Sequence, residues 1–150
     1  MIRIARPGGV IALQEPDSSA WVCDPPHSPF DLLHAELVDA YRRNGKNFDV
    51  GRRIARLLRD AGLADVRVRA TARITNAADY YQTFLLTMTS LVRDQIIAGQ
   101  RLSTEQFDAH TASLRAHLQQ PDTLTCQPTI CTAPAHLCYV TGCAWCPFHA

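Results

Sequence analysis

The spacing of apolar and polar residues along the chain predicts three strands. The first is the short apolar run from Val10 to Gln14, and the other two segments alternate between apolar and polar residues as half-buried strands do. They are "DVRVRATARI" over 65–74, where Val66, Val68, Ala70, Ala72 and Ile74 share one face, and "TLTCQPTI" over 123–130. Because strands with one exposed face usually pair antiparallel, we expect a largely antiparallel sheet.

Four segments carry apolar residues at helical spacing, so the predicted fold class is α/β. They cover residues 30–43, 50–61, 78–98 and 103–120. Ser28 is placed to cap the first helix and Asn44-Gly45 to end it, while Ser103-x-x-Gln106 forms a capping box before the fourth. The third helix is apolar around more than one face, which predicts that it packs on two sides or lines a pocket.

The pair Gly8-Gly9 raises the question of a phosphate-binding loop. Such a loop follows a strand and opens a helix, whereas these glycines precede the strand that begins at Val10. Neither GxGxxG nor GxxxxGK[ST] occurs in the sequence. We therefore interpret Pro7-Gly8-Gly9 as a turn that leads the chain into the strand.

The composition indicates a globular domain. The 150 residues are 47% apolar and 19% charged. No apolar run approaches the roughly 18 residues that a membrane-spanning helix needs, and Val10 to Leu13 is too short for the apolar part of a signal peptide. We therefore expect a cytoplasmic protein without a membrane partner.

The net charge of +1 conceals a basic stretch. Between Arg42 and Arg73 lie ten Lys and Arg residues against three Asp residues, which gives +7 there and −6 elsewhere. Two predicted helices and a strand in this region make a winged helix-turn-helix that binds nucleic acid an alternative interpretation. Its arginines spread around the second helix and its turn exceeds the usual three or four residues, so we expect no nucleic-acid partner.

The segment 131–150 differs abruptly from the rest of the chain. It contains no Asp, Glu, Lys or Arg and holds four of the six cysteines. One interpretation is an out-of-frame segment, and another is a metal site built on Cys143-x-x-Cys146. The residues near that pair are Cys131, His136, Cys138 and His149. A structural zinc site normally shows two CxxC pairs, and only one is present, so we expect no metal.

A series of short motifs resembles the class I S-adenosylmethionine-dependent methyltransferases over about residues 3–130. The series reads Arg6-Pro7-Gly8-Gly9, the strand Val10 to Glu15, a helix, Leu57-Leu58-Arg59-Asp60-Ala61-Gly62-Leu63 and the strand Val66-Arg67-Val68. In that family an "RPGG" turn leads into the fifth strand and an "AGL"-type turn into the sixth. The segment "TLTCQPTI" then resembles the seventh strand, which lies antiparallel in the sheet, and 78–120 resembles a helical insertion over the substrate.

The resemblance implies the C-terminal half of a Rossmann-like methyltransferase sheet, with about three largely antiparallel strands and four helices that include an inserted helical lid. Residues 1–130 form this domain part, and 131–150 form an atypical Cys-rich, uncharged tail. The family binds S-adenosyl-L-methionine with its first half, through a glycine-rich loop and an acid that holds the ribose, so no cofactor-binding or catalytic residue is assigned here. We expect a truncated methyltransferase that cannot bind the cofactor or transfer a methyl group alone, because transfer requires donor and acceptor held in line.

The resemblance also implies a small-molecule acceptor and six candidate substrate-binding residues. They are Glu15, Asp17 and Trp21 after the first strand, and Tyr80, Tyr81 and Phe84 from the lid helix. Glu15 would orient or deprotonate an acceptor hydroxyl or amine. The ordinary alternative for the aromatic residues is packing, and for the acids it is solvation.

An open strand edge suggests a third interpretation. If the sheet leaves Val10 to Gln14 unpaired on one side, that edge would seek a partner strand. The chain would then form a homo-oligomer or associate with another chain.

Overall fold

The structure is a computed structural model that describes Arg6 and residues 8–137. Over these residues the chain forms seven strands and five helices, which belong to two compact units. The strands are β1 (Val10–Asp17), β2 (Val22–Asp24), β3 (Leu63–Ala64), β4 (Arg69–Thr71), β5 (Ile74–Thr75), β6 (Leu124–Cys126) and β7 (Thr129–Leu137). The helices are α1 (Ser28–Arg43), α2 (Ile54–Asp60), α3 (Phe84–Leu91), α4 (Arg93–Ala98) and α5 (Thr104–Leu118). Unit 1 comprises Arg6, residues 8–17, Asp49–Thr71 and residues 129–137, and unit 2 comprises Ser18–Phe48 and Ala72–Pro128.

Unit 1 is built around β7, which pairs antiparallel with β1, β3 and β4. The β1–β7 ladder covers all eight residues of β1. Side chains on one face, among them Ile11 and Ala133, are buried together with Ile54 and Leu58 of α2. The predicted mixed α/β class with antiparallel pairing is therefore confirmed at this level of detail.

The glycines at the start of β1 form the predicted turn. Gly8 has φ 74°, and the Gly9 N–H donates to the Arg6 carbonyl at 2.8 Å. The Leu137 N–H then donates to the Gly9 carbonyl at 3.1 Å, so the ladder begins directly after the turn. Gly62, with φ 79°, ends α2 in the same left-handed region, which a residue with a side chain adopts only at a cost.

Unit 2 contains a helical core and a small sheet. Helices α1, α3, α4 and α5 bury one set of apolar side chains, and the sheet has the antiparallel order β2-β6-β5. The fully buried members of that set include Phe30, Leu33, Leu37, Leu85, Ile96 and Leu114. Two predicted helix ends are present, because Gly45 (φ 69°) follows α1 and the capping box of Ser103 and Gln106 opens α5.

The predicted continuous helix over 78–98 is wrong. Asp79 caps a short 3-10 turn, and α3 and α4 follow with a break at Val92, whose φ is −118°. Within α3 the hydroxyls of Thr89 and Ser90 donate to backbone carbonyls one turn earlier, at 2.9 and 2.6 Å. Such bonds bend helices and compete with the regular ladder, an effect that apolar spacing does not report.

Two predicted strands are also divided. Residues 65–74 supply β4 to unit 1 and β5 to unit 2, and most of their expected buried face is exposed. The segment "TLTCQPTI" separates at Pro128, which has no N–H for a ladder, into β6 and the start of β7. Because β7 continues to Leu137, residues 131–137 of the segment set apart as a tail form the central strand of the unit 1 sheet.

Candidate functional site

Asp17, at the end of β1, is bound by Arg52. Its carboxylate accepts hydrogen bonds from Arg52 Nη2 at 2.8 Å, from Arg52 Nε and from the Arg52 backbone N–H at 3.1 Å. The Asp17 side chain is 4% exposed and that of Arg52 51%, and these bonds raise the pKa of the guanidinium. Since both of its oxygens already accept from Arg52, Asp17 anchors the segment around Arg52 to the strand rather than serving as an open acid.

The backbone of the same segment approaches β1 very closely. A Cβ added to Gly51 would lie 2.7 Å from the Pro16 carbonyl oxygen and 3.0 Å from that of Glu15. Only glycine allows this approach, because a side chain would overlap two backbone groups. Glu15 itself is half-buried, and of the two predicted acids it is the one that Arg52 does not bind.

The residues at this strand end do not fit an S-adenosylmethionine site. A glycine cradle requires open space beside the glycine backbone, and the space beside Gly51 is filled by the carbonyls of Glu15 and Pro16. An acid that holds ribose hydroxyls requires free carboxylate oxygens, and those of Asp17 accept from Arg52. No methyl-transfer step is therefore assigned to these residues.

Trp21 and Phe84 belong to the helical core of unit 2. Trp21 is 2% exposed, and its ring packs against Phe30, Phe48 and Phe84 with centroids 6.2, 6.1 and 5.6 Å away. Phe84 is partly buried against the same cluster. The structure thus brings these two candidates together, and it gives Trp21 a packing role with almost no surface for a ligand.

Tyr80 and Tyr81 lie in the 3-10 turn Tyr80–Thr83 and are open to solvent. Their side chains are 86% and 45% exposed, and their rings meet edge to face at 5.5 Å. Asp79 accepts from the Tyr81 N–H at 2.9 Å and from Arg73 Nη2 at 2.7 Å, while the Arg73 guanidinium lies 5.1 Å from the Tyr81 ring centroid. These contacts hold the Tyr81 ring in place and leave the Tyr80 ring available to a ligand.

The small sheet of unit 2 turns apolar side chains outward. Val22, Cys126 and Ile74 are direct neighbours across its three strands, and Val22 and Ile74 are 54% and 68% exposed. We use the name outer surface for two groups of exposed apolar residues in unit 2, the sheet residues Val22, Ile74 and Leu124 and the turn residues Tyr80 and Tyr81. Adjacent exposed apolar residues, such as those within each group, mark binding surfaces more often than single exposed residues do.

The inner face of that sheet carries a buried polar network. Gln82 Oε1 accepts from the hydroxyls of Thr75 at 2.8 Å and Thr125 at 2.9 Å. Gln82 Nε2 donates to the Thr123 carbonyl at 3.0 Å, and Gln127 Nε2 donates to both hydroxyls. The sequence pattern does not predict this network. The period of two in "TLTCQPTI" was the available signal, but here the polar positions point inward.

Several residues of the basic stretch have partners within their own unit. Arg42 binds Asp39 at 2.7 Å, Arg52 binds Asp17, and Arg73 binds Asp79. The helices α1 and α2, on which the winged-helix interpretation depends, belong to different units.

One groove of unit 2 is basic but small. Its volume is about 220 Å³, and it is lined by Val38, Arg42, Lys46, Asn47 and Phe48. Ligand pockets usually measure about 300–1,000 Å³, so this groove is a weaker candidate than the outer surface.

Two of the described cysteines, Cys23 and Cys131, are poor nucleophiles because burial raises their pKa values. Cys23, Cys126 and Cys131 carry free thiols, and burial raises the pKa of Cys23 to about 11. Burial, followed by the charge of Asp17, also raises the pKa of Cys131. Among the residues that the structure describes, no group of three His, Cys, Asp or Glu side chains could hold a metal ion. Cys138, Cys143, Cys146 and His149 lie outside the described residues.

A scan against protein-family models finds no match, and a search among curated proteins finds none either. Within the described part of the chain, no helix combines the length and apolar character needed to cross a membrane. The function is therefore argued from the geometry of the two units.

Proposed function

We propose that the chain is the acceptor-side, C-terminal part of a class I S-adenosylmethionine-dependent methyltransferase-like domain. In this proposal unit 1 supplies the last strands of a Rossmann-like sheet, and unit 2 supplies an inserted lid that contacts a small-molecule acceptor. The observation that carries the proposal is the central position of β7, which is antiparallel to β1, β3 and β4. In the family that the chain resembles, the last strand likewise lies antiparallel to its neighbours.

The two glycine turns of the motifs that resemble the family each lead into a strand of the unit 1 sheet. The left-handed Gly8 and the following Gly9 lead directly into β1. Gly62, the glycine of the "AGL" motif, ends α2, and Leu63 begins β3. Both motifs therefore act as turns into strands of one sheet, which supports an interpretation based on their order and not on their residues alone.

The outer surface of unit 2 is the part that we assign to the acceptor. Tyr80 offers an almost fully exposed ring, and Tyr81 offers a ring whose orientation is fixed by Asp79 and Arg73. Aromatic rings of this kind favour flat apolar ligands, by stacking or edge-to-face contact. The proposed substrate class is therefore a small aromatic molecule that carries a hydroxyl or amino group as the methyl acceptor.

The cofactor of the family is S-adenosyl-L-methionine, and we propose that this chain alone does not hold it. The strand end where Asp17 and Gly51 lie is filled by the protein's own Arg52 side chain and by backbone carbonyls. Glu15 remains a separate candidate for orienting an acceptor hydroxyl or amine.

An amide NMR titration tests this proposal. We expect a panel of phenols and arylamines to shift the resonances of Tyr80 and Tyr81, and we expect S-adenosylhomocysteine to shift none. The double variant Tyr80→Ala/Tyr81→Ala should lose the response, while Leu57→Ala, an exposed apolar residue of unit 1, should keep it. No response to any panel member, or a saturable response to S-adenosylhomocysteine, would contradict the proposal.

A further inference from the structure

We propose that the outer edge of β1 pairs with β1 of a second copy of this chain, antiparallel and about a two-fold axis. Within the described residues β1 has one partner strand, β7. The Gly9 carbonyl accepts from Leu137, so the odd-numbered residues of the ladder point their backbone groups toward β7. The N–H and C=O groups of Val10, Ala12 and Gln14 therefore point away from it. This inference does not rest on the proposed function.

The edge lacks the features that normally prevent pairing. Soluble proteins protect open strand edges with charges, prolines or bulges, and Val10 to Gln14 contains no charged residue and no proline. The first proline, Pro16, occupies an outward position, where its missing N–H costs nothing in the β7 ladder. At that point the segment at Gly51 covers the strand, so the open stretch ends there.

The side chains at the outward positions of Val10 to Gln14 are exposed to solvent. Val10 is 57% exposed, and Ala12 and Gln14 are also exposed. An antiparallel pair centred on Ala12 places Val10 opposite Gln14 of the other copy and forms about six backbone hydrogen bonds. Two four-stranded sheets would then join into one continuous sheet.

Charge favours a second copy in this orientation. The strand starts near the exposed Arg6 and ends at Glu15 and Asp17, of which Asp17 is bound by Arg52. Antiparallel pairing brings the start of one copy, with Arg6, toward the end of the other, with Glu15, whereas parallel pairing would place like charges together. A two-fold axis also makes the same surface patch serve both copies, as a closed dimer requires.

Amide hydrogen exchange on the unaltered protein tests the inference without any substitution. We expect the amides of Val10, Ala12 and Gln14 to become protected as the protein concentration rises. The amides of Ile11 and Leu13, which bond to β7, should be protected at every concentration. A molar mass from light scattering that stays at the monomer value over a roughly hundredfold concentration range would overturn the inference.

A proline substitution supplies the matched variant. Ala12→Pro removes one outward N–H and adds bulk at the centre of the proposed pair, and it leaves the β7 ladder intact. We expect its molar mass to halve relative to the unaltered protein, with unchanged circular dichroism, while Ala12→Ser stays dimeric. A dimer that survives Ala12→Pro with the Val10 and Gln14 amides unprotected would place the interface elsewhere and overturn the inference. If Ala12→Pro does not fold, Gln14→Lys gives the same comparison through charge repulsion.

Discussion

Asp17 illustrates, at the scale of single residues, how a candidate substrate-binding acid is bound by an arginine of its own chain. Its position at a strand end was visible in the sequence, and that position is where ligands gather in open α/β sheets. Its partner Arg52 lies 35 residues later, and no local pattern connects the two. Sequence reasoning therefore found the residue but not its role.

Loss of Arg52 should destabilise unit 1. Arg52→Ala removes the two side-chain hydrogen bonds to the buried Asp17 carboxylate and keeps the one from the backbone N–H of residue 52. We expect this loss to lower the free energy of unfolding by about 1–3 kcal/mol. Because the Arg52 guanidinium is half exposed, solvent weakens its ion pair with Asp17, and we expect a loss toward the lower end of this range. Urea unfolding measures this change, and Arg53→Ala, at the next exposed arginine, should stay within about 0.5 kcal/mol. Equal effects of the two variants would contradict the anchoring role of Arg52.

His27 should make stability depend on pH. The rings of His27 and His117 stack with their centroids 4.2 Å apart. Burial, followed by the charge of His117, lowers the pKa of His27 from its usual 6.5, and the charge of Asp31 acts in the opposite direction. Because the pKa is lower in the folded state, the unfolded chain binds the proton first as the pH falls. The contribution is therefore fully present above about pH 6.5 and is lost below it.

Urea unfolding at pH 8 and pH 5.5 measures the His27 contribution. We expect the free energy of unfolding to fall at the lower pH, and His27→Gln should reduce that fall. A fall of the same size in the His27→Gln variant would show that other groups cause it.

At the scale of elements, two glycines differ in what an added side chain would meet. Gly51 lies against rigid backbone, and Gly99 lies against the flexible end of a side chain. Gly51→Ala would push a methyl group against the carbonyls of Pro16 and Glu15, whereas Gly99→Ala would meet only the end of the Arg43 side chain. We expect Gly51→Ala to cost about 1–3 kcal/mol of unfolding free energy and Gly99→Ala to cost less than about 0.5 kcal/mol. Urea unfolding of both variants provides the measurement, and similar values would contradict the close approach of the Gly51 segment to β1.

The buried network of the small sheet should depend strongly on Gln82. Gln82→Met leaves the Thr75 and Thr125 hydroxyls and the Thr123 carbonyl with fewer partners, so we expect a loss of about 2–3 kcal/mol. The exposed Gln120 gives a matched control, and Gln120→Met should change stability by less than about 0.5 kcal/mol. Thermal and urea unfolding should agree, and a neutral Gln82→Met would mean that the network contributes nothing.

Local signals predicted several ends of elements and predicted the continuity of elements poorly. The predicted cap at Ser28 is wrong, because His27 is the N-cap residue and makes no side-chain capping bond, and Ser28 is the first residue of α1. The turn at Gly8, the stop at Gly45 and the capping box at Ser103 follow from short-range chemistry, and each is present. The division of 65–74 between two sheets depends on long-range pairing with β6 and β7, which alternation does not reveal. The inverted small sheet could not be predicted, since polarity normally assigns threonines such as Thr125 to the exposed face.

At the scale of the whole molecule, the sequence suggested one domain part, and the structure shows two compact units whose segments alternate along the chain. The chain crosses between them at Asp17, Phe48, Thr71 and Pro128. No composition shift marks these crossings, because each unit draws on several separated segments. The six candidate residues divide accordingly, with the acids in unit 1 and the aromatic residues in unit 2.

The central claim is that this chain is an acceptor-side methyltransferase part that does not hold the cofactor by itself. The most direct test is a thermal melt of the purified chain with and without S-adenosylhomocysteine. We expect a cooperative melt whose midpoint does not change with the concentration of S-adenosylhomocysteine. A midpoint that rises with S-adenosylhomocysteine, as linkage requires for a ligand that binds only the folded state, would show an assembled cofactor site and contradict the claim.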